Sequence, residues 1–167
     1  MKVASNASPL IWLSQASQFA LLHTLFKEVM ITPEVQAETV DRAAGYPNVA
    51  NVRAACTAGW MVVVPPNDTN KVAVLRAQLH AGEAETLVMA YEQQVDAVLV
   101  DDLHARNFAT SMGLRVIGTA GLLVLAYERG ISVDVTATLD TMRRGGFRLA
   151  DAVYQSIVQR VRDTPRS

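Results

Sequence analysis

Short apolar runs of four or five residues alternate along this chain with longer stretches in which apolar positions recur every three or four residues. These are the periods of buried strands and amphipathic helices. The first run is Lys2 to Ser5. In the following Asn6-Ala-Ser-Pro, Ser8 suits a helix N-cap with Pro9 in the first turn, and Leu10, Leu13, Ala16 and Ala20 then repeat at helical spacing. Val29-Met-Ile-Thr predicts a second strand. Thr32-Pro33-Glu34 opens another helix with the same cap chemistry, on which Glu34 and Glu38 share a face. From Asp41 to Gly59 the pattern predicts a loop containing Pro47 and then a short helix through Ala55. Trp60 to Val64, ended by Pro65-Pro66, reads as a third strand.

A helix from Lys71, a break at Gly82 and a helix from Glu83 to about Gln93 come next. Ala97-Val-Leu-Val is apolar without alternation, as in a strand buried on both faces, and it ends in Asp101-Asp102. A helix to about Met112, the strand Leu114 to Ile117 and a helix capped by Gly118-Thr119 and running to Arg129 complete an α/β core. Two amphipathic helices, about Val133 to Arg144 and Leu149 to Val161, close the chain. Strands separated by helices imply a mainly parallel sheet covered on both faces. No repeat, low-complexity tract or linker interrupts this order. Residues 1–167 are therefore expected to form a single domain, with the helical segment of about 133–162 packed on it.

The chain's 167 residues can bury a core unaided, and 50% hydrophobic with 19% charged residues excludes a disordered segment. A single cysteine, Cys56, excludes a disulfide framework or a cysteine-rich zinc site and fits a reducing compartment. MKVASNASPLIWL is too short and polar for a signal peptide, and no apolar run reaches membrane length, so the expected location is cytoplasmic. Net charge is −1, but Arg143, Arg144, Arg148, Arg160, Arg162 and Arg166 crowd the C-terminus against only Asp151 and Asp163. That segment suits RNA or an acidic partner; a solvated helix face is the alternative.

Ligands of such sheets bind beyond the carboxyl ends of the strands. Asn6 follows the first strand, Asp101-Asp102 follow the strand from Ala97, and Glu38 and Glu83 lie in helices leaving the same edge. Crowded carboxylates repel unless a hard cation neutralises them, and Mg²⁺ favours oxygen ligands. Each residue also has a purely structural role open to it. Asp101-Asp102 can cap a helix, Glu83 can complement a helix dipole, Glu38 can be solvated and Asn6 can be a turn residue. His23, His80 and His104 are scattered, which disfavours zinc and suggests surface or core positions. No glycine-rich phosphate loop or nucleophile elbow is present, and an amide at Asn6 cannot serve as an aspartyl nucleophile.

Ser5-Asn-Ala-Ser-Pro-Leu-Ile, Ile31-Thr-Pro-Glu-Val-Gln-Ala-Glu, Gly82-Glu-Ala-Glu, Leu99-Val-Asp-Asp and Gly113-Leu-Arg-Val-Ile-Gly-Thr resemble, in order, the blocks of PIN domains. The closest likeness is to a prokaryotic branch related to the VapC-like toxin ribonucleases. Gly146-Phe-Arg-Leu and the helix containing Tyr154 resemble that branch's C-terminal segment. The resemblance implies a three-layer α/β/α sandwich with a five-stranded sheet and Mg²⁺- or Mn²⁺-dependent endoribonuclease activity. It also implies frequent homodimers and, in toxin members of type II toxin–antitoxin pairs, a small antitoxin protein. Leu122, Leu125 and Ala126, with part of the first helix, are candidate dimer surfaces, with ordinary core as the alternative. Carried over by position, the family's acidic quartet falls on Asn6, Glu38, Glu83 and either Asp101 or Asp102, and Ser8 matches a hydroxyl near the metal water. On this reading Glu38, Glu83 and Asp102 hold one or two cations that acidify a water for in-line attack on phosphorus, leaving a 5′-phosphate and a 3′-hydroxyl. The target would be unpaired or loop RNA. Asn6 replaces the usual first Asp and ligates a cation less strongly. That departure opens a second reading, a catalytically weak or inactive PIN domain that binds RNA or protein.

Overall fold

In the computed structural model, residues 1–164 are described, and the chain divides into two compact units, Met1–Gly118 and Thr119 onward. Arg166 lies outside the described residues. The first unit contains strands β1 (Lys2–Ser5), β2 (Glu28–Ile31), β3 (Met61–Val63), β4 (Ala97–Leu99) and β5 (Val116–Ile117). Its helices are α1 (Ala7–Gln15), α2 (Ala20–Leu25), α3 (Pro33–Gln36), α4 (Pro47–Thr57), α5 (Thr69–Leu75), α6 (Ala81–Glu92) and α7 (Leu103–Ser111). The helix begun by α3 continues through Ala37–Asp41 in π-helical form, with the Arg42 N–H on the Ala37 carbonyl at 2.9 Å.

The strands lie in the order β3-β2-β1-β4-β5 and every pairing is parallel. The chain steps outward from β1 to β3, then crosses back to β4 and β5. Right-handed crossovers therefore put α1, α2 and α4 on one face and α5, α6 and α7 on the other. This is the expected α/β/α sandwich. Ala4 sits in register between Met30 and Val98, and that row joins Leu87 and Val88 of α6 in one buried cluster. Val3, Val29 and Ala97 form the alternate row and are just as buried, so the sheet has no solvent face here.

Some boundaries differ from the pattern, each for a local reason. Asn6, not Ser8, occupies the N-cap position of α1, because the helix already begins at Ala7. Ala16 is the C-cap of α1 and Ala20 opens α2, with a turn between them in which Ser17 has φ of 56°. The second strand runs Glu28–Ile31 and ends one residue earlier than expected, since Thr32 is the cap of α3 and its hydroxyl accepts the Val35 N–H. Pro47 lies in the first turn of α4, where its missing N–H costs nothing, and the helix extends to Thr57. The break expected at Gly82 falls between Leu75 and Ala81, and Gly82 itself is helical.

The second unit is a set of three helices in mutual contact: α8 (Thr119–Glu128), α9 (Val135–Arg144) and α10 (Asp151–Asp163). Arg160 pairs with Glu128 at 2.6 Å and Arg143 pairs with Asp151 at 2.5 Å. The Tyr154 hydroxyl donates to Asp140 at 2.6 Å, while the Arg143 guanidinium lies 4.6 Å from the Tyr154 ring centre. Arg144, Arg148 and Arg162 are exposed. Leu122 and Ala126 are fully buried, which corrects their reading as a dimer surface: they are core, as α8's nearly all-round apolar sequence requires. Among the described residues no helix is long and apolar enough to cross a membrane.

Candidate active site

In a doubly wound sheet of this order, the loops leaving β1 and β4 diverge to opposite faces and open a crevice at the carboxyl edge. Asn6 is the first residue after β1, and its backbone N–H is held by the Leu99 carbonyl of β4 at 3.0 Å. It stands at the N-cap position of α1, yet its side chain makes no cap hydrogen bond. Its Oδ1 is buried without a hydrogen-bond partner among the described residues. An orphaned buried acceptor costs about 1–3 kcal/mol, so a turn residue alone would not keep one. Asn6, Ser8, Glu38 and Glu83 line one pocket of about 360 Å³ together with Ala7, Ile11, Trp12 and His80.

Glu83 is buried in the first turn of α6, where its Oε2 accepts the His80 backbone N–H at 3.1 Å. Burial pushes its carboxyl above the usual range and the nearby Asp102 adds to that; the His80 hydrogen bond and the charges of His80 and His104 pull against it. Glu38 sits on the π-helical turn, a local distortion frequent at functional sites. Burial and the charge of Glu34 raise its carboxyl, Arg42 lowers it, Glu83 raises it again, and the Gly82 backbone N–H donates to it and lowers it. Arg42 is bonded to Glu34 at 2.5 Å, so its charge is shared.

Gly82 explains why α6 begins with a small residue. A Cβ at this position would overlap Glu38 Oε1 and lie 3.4 Å from Asn6 Oδ1. The bare backbone is thus a cradle that brings the β1 edge, the π-helical turn and α6 to one place. The charge of Glu83 acts on Glu38 and the charge of Asp102 acts on Glu83, so these carboxylates lie within electrostatic reach of one another.

Asp101 and Asp102 do not line the pocket. Asp102 is exposed and its Oδ1 accepts the Ala105 N–H at 2.9 Å, which makes it the N-cap of α7. Asp101 accepts the Ser8 hydroxyl at 2.9 Å, tying α1 to the end of β4. Among the described residues, no three His, Cys, Asp or Glu side chains converge as a ready metal cluster. Sequence reasoning missed His80, Ile11, Trp12 and Gly82. His80 carried a signal, since it stands three residues before Glu83 at a helix start; Ile11 and Trp12 did so through their i+3 and i+4 spacing from Ser8.

An all-parallel sheet with amide and carboxylate oxygens at its switch point defines an α/β protein whose ligand site lies at the carboxyl edge of the strands. The sequence profile of the PIN domain matches residues 2–163, and the chain belongs to the PIN-domain family, whose members are generally nucleases and typically depend on divalent metal. No curated protein matches the sequence.

Proposed function

We propose that the protein is a Mg²⁺- or Mn²⁺-dependent endoribonuclease of the VapC-like branch, with Asn6, Glu38 and Glu83 as the core of its metal site. The observation that carries this reading is the buried, unpartnered Asn6 Oδ1 beside two carboxylates whose burial disfavours their charge. Hard divalent cations prefer such oxygen donors, so the residues fit the group. When bound, the cation would polarise phosphate and acidify a water. A site with few protein oxygens suits an ion that keeps part of its water shell. Asp102 acts on the site through its charge on Glu83. Ser8 holds Asp101 in place, so that pair positions the loop after β4.

Exposed Arg144, Arg148 and Arg162 would hold the RNA backbone through phosphate, in a salt-dependent manner. The family match runs through both units, which supports reading residues 1–167 as one domain. A homodimer and a small antitoxin partner belong to the same proposal and are tested by light scattering and by co-purification with the product of a neighbouring short reading frame. The single cysteine supports cytoplasmic residence.

The test is cleavage of a structured RNA with Mg²⁺, with Mn²⁺ and with chelator. Products with 5′-phosphates that form only with metal, and vanish in Glu83→Gln, are expected. Metal-independent cleavage or none would overturn the proposal. A second reading, an RNA- or protein-binding PIN domain without turnover, is favoured by two observations: Asp102 is engaged as a helix cap, and among the described residues no three acids converge.

A further inference from the structure

Glu34, Glu38 and Arg42 recur every four residues along α3 and the π-helical turn, so they stand on one face. Arg42 Nη2 reaches back eight residues to Glu34 Oε1 at 2.5 Å, over a rise of at most roughly 12 Å in helical geometry. Helical side chains lean toward the N-terminus, so this one runs back along the face past the level of Glu38. Its charge accordingly acts on Glu38, which lines the pocket with Glu83.

The pair is loosely held. The Arg42 side chain is 56% exposed, and exposed ion pairs contribute little to stability. The turn does not depend on it: the Thr32 hydroxyl accepts the Val35 N–H, and Glu85 accepts the Glu34 N–H at 3.2 Å. A guanidinium has five N–H donors, and among the described residues that of Arg42 has one hydrogen-bond partner, Glu34. The rest of its fork meets solvent beside an acidic pocket. A phosphodiester approaching Glu38 and Glu83 meets charge of its own sign. A planar guanidinium offsets that repulsion and matches phosphate through two parallel N–H···O bonds.

We propose that Arg42 grips the phosphodiester next to the one at the carboxylates, exchanging Glu34 for phosphate when substrate binds. The proposal rests on the nuclease reading of the same pocket and adds a substrate-positioning residue to it. Glu34 is the resting partner of Arg42 and competes with substrate for it.

The probes are a uridine tetramer, too short to shift register without losing contacts, and its three versions with one linkage made a neutral methylphosphonate. Binding is titrated with Ca²⁺ as the hard cation. Arg42→Gln should weaken tetramer binding about tenfold, the worth of one hydrogen bond to a charged group, and lower the salt slope by up to about 0.7. Arg115→Gln removes the same charge from an exposed residue at the amino edge, just before β5, and should do neither. At one linkage the methylphosphonate and Arg42→Gln should each weaken binding and together weaken it no further. Additive effects at all three linkages, an unchanged salt slope, or no tetramer binding by the parent overturns the proposal. Glu34→Gln should tighten binding, the opposite of Arg42→Gln. Weaker binding there makes the ion pair a structural one and overturns the proposal even if Arg42→Gln fails to fold. None of these readouts needs turnover. A coupled linkage in a protein that cuts no RNA with Mg²⁺ or Mn²⁺ sinks the nuclease reading and leaves the role of Arg42 standing, and metal-dependent cleavage without coupling does the reverse.

Discussion

Replacing Gly82 with alanine adds one methyl group at the point where the β1 edge, the π-helical turn and α6 meet. The new Cβ overlaps Glu38 Oε1 and touches Asn6 Oδ1 at 3.4 Å. Asn6 is buried and fixed by its backbone to β4, so the end of the longer Glu38 side chain gives way. Glu38 then loses the Gly82 N–H and moves away from Glu83. Two stability effects oppose each other. Alanine in place of helical glycine gains up to about 1 kcal/mol. Losing a hydrogen bond to a half-exposed carboxylate costs about 1 kcal/mol at most, because water replaces part of it. The balance should stay within about 1 kcal/mol, a melting shift of roughly 2–4 °C for a chain of this size. A ligand displaced by about 1 Å can cost about 100-fold in rate. Thermal melts with chelator, with Mn²⁺, and RNA cleavage on the same preparations measure both effects. A Gly82→Ala protein that keeps the parent's cleavage and its Mn²⁺ shift would refute the cradle.

Asn6→Asp adds a charge beside Glu38 and Glu83, so it should lower the melting temperature with chelator and enlarge the shift on adding Mn²⁺; equal shifts in parent and variant would remove Asn6 from the metal site. Glu83→Gln should abolish cleavage while leaving the metal-free protein at least as stable, and a fully active Gln variant would remove Glu83 from the catalytic set. Both Glu38 and Glu83 have carboxyls raised above the ordinary 4.5, so the fold binds their protons more tightly than the unfolded chain does. Their stabilising share is complete below pH 4.5 and is lost as pH rises through the raised values, so the stability of the parent relative to Glu83→Gln should fall with rising pH in that window. Denaturant midpoints across pH for the two proteins check this, and parallel curves would contradict it. Changing Arg144, Arg148 and Arg162 to Gln should reduce the salt slope of single-stranded RNA binding by roughly 0.7 per arginine that contacts phosphate.

The apolar runs made the sheet legible because β4 is buried on both faces and so carries an uninterrupted signal. Asn6, Glu38 and Glu83 were legible for a related reason: the strand–helix order alone places them at one edge. Less visible was anything set by close approach between distant elements. Gly82 reads as a helix breaker in a propensity argument, yet it is helical because Glu38 needs the space. Asp102 carries two signals that sequence cannot separate, a cap and a charge near Glu83, and the structure contains both. Trp12 looks like one more apolar residue of α1 until its partial exposure and the pocket beside it are known. The π-helical turn has no sequence signature at all, and Glu38 depends on it.

Paramagnetic broadening by Mn²⁺ in ¹⁵N-labelled protein tests the central claim most directly, because it locates the cation without relying on activity. Substoichiometric Mn²⁺ should broaden the amide signals of Asn6, Glu38, Gly82 and Glu83 first, and Glu83→Gln should weaken that effect at the same metal concentrations at which it abolishes RNA cleavage. Broadening centred elsewhere, or none at concentrations that support cleavage, would contradict a metal-dependent site in this pocket.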